Sequence, residues 1–187
     1  MVKLSLCLLA LFGFATVTAD PLFAPGPVTD LIKDLPGCDL KVSAYSGYLK
    51  SKDTKQLHYV YIGSQDKEAT DPVVIWFNGG PGCSSLEGLF AEHGPCVVNE
   101  ASGAKGVAKN PFSWNKRANM LYIESPAGVG FSIAKDDDDY VHTDKSQAED
   151  LKVALDDFYT KFPTLVPNDL YIAGESYAGV YVPWIAY

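Results

Sequence analysis

The chain has 187 residues, enough for one domain with a buried core. Apolar residues make up 47% and charged residues 20%, which excludes a disordered or fibrous chain. The net charge of −8 repels nucleic acid and anionic membrane surfaces, so neither is expected as a partner.

The first nineteen residues read as a secretory signal peptide rather than as structure. Lys3 is a short basic start, Leu4 to Phe14 is an apolar run too short to span a bilayer, and Val17 and Ala19 sit at −3 and −1 of a cleavage site. The expected product is therefore residues 20–187, with net charge −8 − 1 = −9 after Lys3 leaves, in the secretory pathway with no membrane anchor. Cys7 leaves as well. Cys38, Cys83 and Cys96 remain, and three thiols cannot all pair within one chain. One is free, or its partner lies on sequence outside this chain. No metal-ligand spacing and no N-glycosylation sequon occurs, and neither a metal nor a cofactor is expected.

Asp20 to Pro36 is Pro-rich and reads as an extended arm. Lys41–Leu49 and Gln56–Ile62 have strand character and flank a polar turn at Ser51–Lys55, a hairpin pattern. Val73–Phe77 is a continuous apolar run of the kind covered on both faces of a parallel sheet, and Asn78-Gly79-Gly80-Pro81-Gly82 stops it. Met120–Ile123 and Leu170–Ala173 are two more short strands of buried type. Asp136–Asp139 is a run of four acids, expected to form a solvated loop. Ala148, Leu151, Leu155, Phe158 and Phe162 recur at three and four residues and predict an amphipathic helix. Asp144 with Gln147 resembles its capping box, and Pro163 ends it. Strand, helix, strand, helix in this order is α/β organisation.

The candidate chemistry sits where Leu170–Ala173 runs into Gly174-Glu175-Ser176-Tyr177-Ala178-Gly179. A serine in a tight strand-to-helix turn lifts its Oγ above the sheet edge, and small neighbours let the chain fold back. Ala178 departs from the Gly-x-Ser-x-Gly pattern by one methyl group. On these residues alone an ordinary serine in a turn fits as well. The glycine loop after Val73–Phe77 adds a second element. Its N–H groups can join the N–H after the serine in an oxyanion hole, which here means Gly80 and Tyr177. No Gly-Lys-Ser/Thr follows, so it is not a phosphate cradle.

Together with these elements, four stretches resemble the serine carboxypeptidases, the family of yeast vacuolar carboxypeptidase and lysosomal cathepsin A. They are Trp76 to Ser85, Glu92 to Pro95, Asn110 to Asn115 and Leu121 to Ser132, followed by Gly174 to Gly179. The resemblance implies the N-terminal half of an α/β-hydrolase fold, with a mostly parallel central sheet, flanking helices and a preceding antiparallel hairpin. It implies Ser176 as nucleophile, and Asn78 and Glu175 holding the C-terminal carboxylate of a peptide or protein substrate, with Glu92 behind Glu175. A carboxyl group bonds a carboxylate only when it carries a proton, and adjacent acids share one, so activity in acid is implied. The resemblance further pairs Cys83 with a downstream cysteine, and it implies an extracellular, lysosomal or vacuolar site of action. In this fold a triad Asp and His follow the serine. Tyr177 to Tyr187 contain neither, and the expectation is a chain truncated after the nucleophile turn. A non-catalytic secreted binding product and an acyltransferase of the same fold are the alternative readings. His58, His93 and His142 are expected to be core or surface residues, with His93 able to perturb Glu92 if charged.

Overall fold

The computed structural model describes residues 26–98 and 100–187, and the predicted leader lies outside them. Among these residues the elements are β1 (Ala44–Lys52), β2 (Lys55–Ile62), β3 (Val73–Phe77), β4 (Cys96–Val97), β5 (Ala108–Lys109), β6 (Asn119–Ile123), β7 (Ile133–Ala134), α1 (Asp144–Lys161), β8 (Leu170–Gly174) and α2 (Ala178–Ala186). The main sheet runs β1-β2-β6-β3-β8, with β7 alongside β2. β1, β2 and β6 pair antiparallel, whereas β3 lies parallel to both β6 and β8. The hairpin and the parallel strands are therefore one continuous sheet. Its carboxyl ends, where parallel α/β sheets hold their sites, carry the glycine loop and the serine turn.

One face of the sheet packs under α1. Alternation along the hairpin points Tyr45, Tyr59 and Tyr61 to this face, where helical spacing delivers Phe158 and Phe162. All five rings are at most 1% exposed. Phe162 is central, with ring centroids 4.5 Å from Phe158, 5.1 Å from Tyr61 and 5.3 Å from Tyr45. The opposite face gathers Val60, Ile62, Trp76, Met120 and Tyr122 beneath Leu89. It retains a cavity of about 450 Å³ lined by Ile32, Leu86, Phe90 and Phe131.

Several local expectations are corrected. β1 starts three residues later than predicted and runs to Lys52, because a turn at Asp53-Thr54 suffices to reverse the chain. The arm, expected to be extended, forms a 3-10 turn at Val28–Asp30 and is docked by a bridge from Leu31 to Tyr45, with the Cys38–Cys96 disulfide just beyond it. That pairing leaves Cys83 free and exposed. The α1 cap is Thr143, not Asp144: Thr143 Oγ1 accepts from Ser146 N at 3.1 Å, and Ser146 Oγ accepts from Thr143 N at 2.9 Å. Asp136, Asp137 and Asp138 are exposed as predicted, but Asp139 is half-buried with Oδ1 4.0 Å from Lys55 Nζ, and the run forms a short 3-10 turn at Asp137–Tyr140. β8 is not buried. It is the sheet edge among the described residues, and Leu170 and Tyr171 are 42% and 57% exposed.

Candidate active site

β8 ends at Gly174 because the chain must then pass against β3. A Cβ at Gly174 would stand 2.5 Å from the Phe77 carbonyl oxygen and 2.6 Å from the Ala178 Cβ. The following turn forces Ser176 to φ 54°, the one positive φ outside glycine among the described residues. A side chain held there is strained, and strain of this kind persists only where the surroundings over-determine it. Three successive bonds of 2.9 Å then lead into α2: Ala178 N to Glu175 O, Gly179 N to Ser176 O, and Val180 N to Tyr177 O. Ser176 is left exposed at the top of the turn.

The glycine loop touches this turn backbone to backbone. A Cβ at Gly79 would lie 2.6 Å from Tyr177 N and 2.9 Å from Ser176 Cβ, so only glycine permits the approach. Gly80 comes next, joined to Pro81 by a cis peptide. The two predicted oxyanion donors, Gly80 and Tyr177, thus belong to segments in direct contact.

Asn78 is the hinge of the polar half of the site. It is buried, and all four of its hydrogen-bonding positions are used. Oδ1 accepts from Trp76 Nε1 and Gly88 N, both at 2.9 Å. Nδ2 donates to Glu92 Oε1 at 2.9 Å and Glu175 Oε1 at 3.1 Å. One amide thus gathers two carboxyl groups from segments 83 residues apart in sequence (175 − 92), while both acids stay exposed. Glu92 closes a π-helical turn, Gly88–Glu92, which brings it back over β3. Trp76 is a core residue whose indole N–H serves Asn78.

On the other side of Ser176 lies an open cavity of about 520 Å³ lined by Pro81, Tyr140, His142, Asp144, Gln147 and Tyr177. The Tyr177 hydroxyl donates to Asp144 Oδ1 at 3.2 Å, and the negative charge of Asp144 raises its pKa.

The histidines have their own partners. His58 is bonded to Glu124 and Ser46, and His142 Nε2 lies 3.0 Å from the Ala127 carbonyl oxygen. His93 is buried between aromatic rings, stacked on Trp114 at 4.4 Å, with Nδ1 3.2 Å from the Tyr122 hydroxyl. Burial lowers its pKa to about 4, against the opposing pull of Glu175. His93 is therefore a core residue, one of the two places expected for it, and is neutral above that pH, so the condition under which it would act on Glu92 as a cation is not met there. No cluster of His, Cys, Asp or Glu among the described residues could hold a metal ion.

Sequence reasoning missed Glu124. It closes β6 with its carboxyl group buried and bonded to Ser84 and His58. The available signal was an acid placed directly after an unbroken apolar strand.

This arrangement of sheet, turn and loop defines an α/β-hydrolase. Among solved structures the chain matches the yeast prohormone-processing carboxypeptidase Kex1(delta)p with a TM-score of 0.69 at 24% identity, over 86% of this chain and 36% of that one; the likeness concerns the fold. Residues 36–187 match the serine carboxypeptidase family model, and the chain belongs to that family. Relatives include the mouse lysosomal protective protein, 49% identical over 86% of this chain and 34% of its own length. The yeast vacuolar serine-type carboxypeptidase ATG42 is 44% identical over 78% and 28%. A Caenorhabditis elegans serine carboxypeptidase, ctsa-4.1, is 42% identical over 92% and 37%. The chain thus spans about a third of the length of the curated relatives it matches.

Proposed function

We propose that this chain supplies the nucleophile and the carboxylate-recognition half of an acid serine carboxypeptidase of the lysosome, vacuole or extracellular space. Ser176 attacks the last peptide carbonyl of a peptide or protein and forms an acyl-enzyme. The Gly80 and Tyr177 N–H groups receive the oxyanion as charge develops. The exposed acids Glu175 and Glu92 bind the free C-terminal carboxylate, and Asn78 orients them. The observation that carries this reading is the Asn78 amide, which holds two exposed acids beside a serine at φ 54°. An acid can donate to a carboxylate only when protonated, so binding weakens as pH rises. His58, His93 and His142 are engaged with Glu124, Tyr122 and the Ala127 carbonyl, so none of them is assigned as the base that serine chemistry requires.

The test begins with the natural product, purified and mapped for peptides extending past Tyr187. On that product, Glu175→Ala is expected to raise KM for a peptide with a free C-terminus by about tenfold at acidic pH, with kcat within about threefold. The preference for the free acid over the C-terminal amide should shrink with it. An unchanged preference would sink the carboxylate assignment. A product ending at Tyr187 would sink the catalytic claim and leave a binding role.

A further inference from the structure

We infer that Glu124 is a positioning residue for this chemistry, acting through Ser84 to fix the far end of the glycine loop; the inference rests on the reading of the site given above. Gly79 to Cys83 has few side chains with which to hold its own shape. One internal bond, Cys83 N to Gly79 O at 3.1 Å, closes it as a turn, and side chains fix that turn from outside at its two ends. The near end is Asn78, saturated by Trp76, Gly88, Glu92 and Glu175. The far end is Ser84, whose Oγ accepts from Leu86 N at 3.2 Å and donates to Glu124 Oε1.

Glu124 is built as an anchor. It is 1% exposed, and its other oxygen accepts from Phe131 N at 2.8 Å and meets His58 Nδ1 at 3.0 Å. His58 is held in turn by Ser46 Oγ at 2.9 Å on β1. A Cβ at Gly130 would collide with the carboxyl group, so the turn after β6 is shaped around it. Burial alone would raise the pKa of Glu124, but the bonds from His58, Ser84 and Phe131 outweigh it and the net shift is downward. A carboxylate satisfied on both oxygens and tied to three segments cannot drift. Neither then can the loop end hydrogen-bonded to it.

An oxyanion donor lowers a barrier only if its aim is fixed before charge develops, and displacement by about an ångström costs up to a hundredfold. Releasing Ser84 should therefore slow chemistry at Ser176. It should leave substrate binding intact, because Glu92 and Glu175 hang from the Asn78 end.

The experiment uses the full-length natural protein and follows the rate at which a fluorophosphonate labels Ser176, with kcat, KM and the urea midpoint in parallel. The expected result for Ser84→Ala is labelling and kcat both about tenfold slower with KM unchanged, while the midpoint falls because a buried carboxylate loses one of its donors. Labelling at the wild-type rate overturns the inference. So does a loss of rate matched by an equal rise in KM, which marks a merely structural role. If Ser84→Ala does not fold, Glu124→Gln decides. It keeps the shape but leaves one acceptor oxygen for three donors, and about threefold slower labelling at unchanged KM is expected, against the wild-type rate if the inference is wrong. A wild-type protein that is not labelled at all removes the proposed function, and this inference with it; a labelled wild type with an indifferent Ser84→Ala removes this inference alone.

Discussion

The two faces of the sheet are built from different materials. Under α1 the core is a stack of phenylalanine and tyrosine rings with almost no exposed area. Across the sheet, apolar side chains share space with buried His93, a cavity of about 450 Å³ and the polar network of Asn78 and Glu124. The first face is held chiefly by packing, whose cost of disruption scales with volume removed, and its polar exception is the buried Lys55–Asp150 pair at 2.9 Å. The second is held by hydrogen bonds and a neutral imidazole, whose stability depends on pH. The Asn78 cluster, with its two exposed carboxyl groups, sits at the margin of the second kind.

The largest effect should come from the dry face. Phe162 touches Phe158, Tyr45, Tyr59 and Tyr61 and is fully buried. Phe162→Ala should lose about 3–5 kcal/mol of stability by urea unfolding, nearly equally at neutral and acidic pH, because the deleted ring does not titrate and burial keeps its tyrosine neighbours protonated over that range. A loss under about 1 kcal/mol would mean that the ring stack does not dominate this face.

The wet face should respond to acid instead. His93 is held neutral down to about pH 4 in the fold, against an ordinary value of 6.5. Between those two values the unfolded chain binds a proton that the folded chain refuses. Stability from this group is complete above about pH 6.5 and is lost as pH falls towards 4, by up to about 3 kcal/mol. His93→Leu forfeits the Tyr122 contact and should be less stable at pH 7. It should also lose less on moving from pH 7 to 4.5, by about 2 kcal/mol, in paired urea titrations. An acid loss identical to wild type would mean that another group sets the pH response.

How much could be read beforehand follows the same division. β2, β3 and β6 are legible because strand periodicity and apolar runs are local, and α1 because Leu151, Leu155 and Phe158 recur on one stripe. The exposure of β8 is not local, since an apolar strand is buried only if something covers it. Contacts far apart in sequence are not legible from spacing at all: Cys38 with Cys96 across 58 residues, His58 with Glu124 across 66, Asn78 with Glu175 across 97. The polar site was anticipated only through motif resemblance. That resemblance carried Asn78, Glu92 and Glu175 and passed over Glu124, because a motif names residues without saying which of them touch.

The smallest effect separates two neighbours at the start of α1. Sequence pattern favours Asp144 as the cap, since acids suit helix N-termini and Gln147 lies three residues on. The structure gives the role to Thr143, whose backbone leaves the helix at φ −121° and ψ 161° and whose hydroxyl exchanges bonds with Ser146. Asp144 is already inside the first turn and faces the Tyr177 hydroxyl. Thr143→Ala should therefore cost about 1 kcal/mol, the usual loss for an N-cap. Asp144→Asn should cost at most about 0.5 kcal/mol, since the amide keeps an acceptor for Tyr177 and only the charge–dipole attraction is lost. If the two costs are reversed, the cap lies where the pattern placed it, and the first turn of α1 starts one residue later. Equal costs would mean that the charge near the helix end matters as much as the bond. The edge of the dry face would then be governed by electrostatics, and the division between the two faces would not extend to the helix that separates the ring stack from the site.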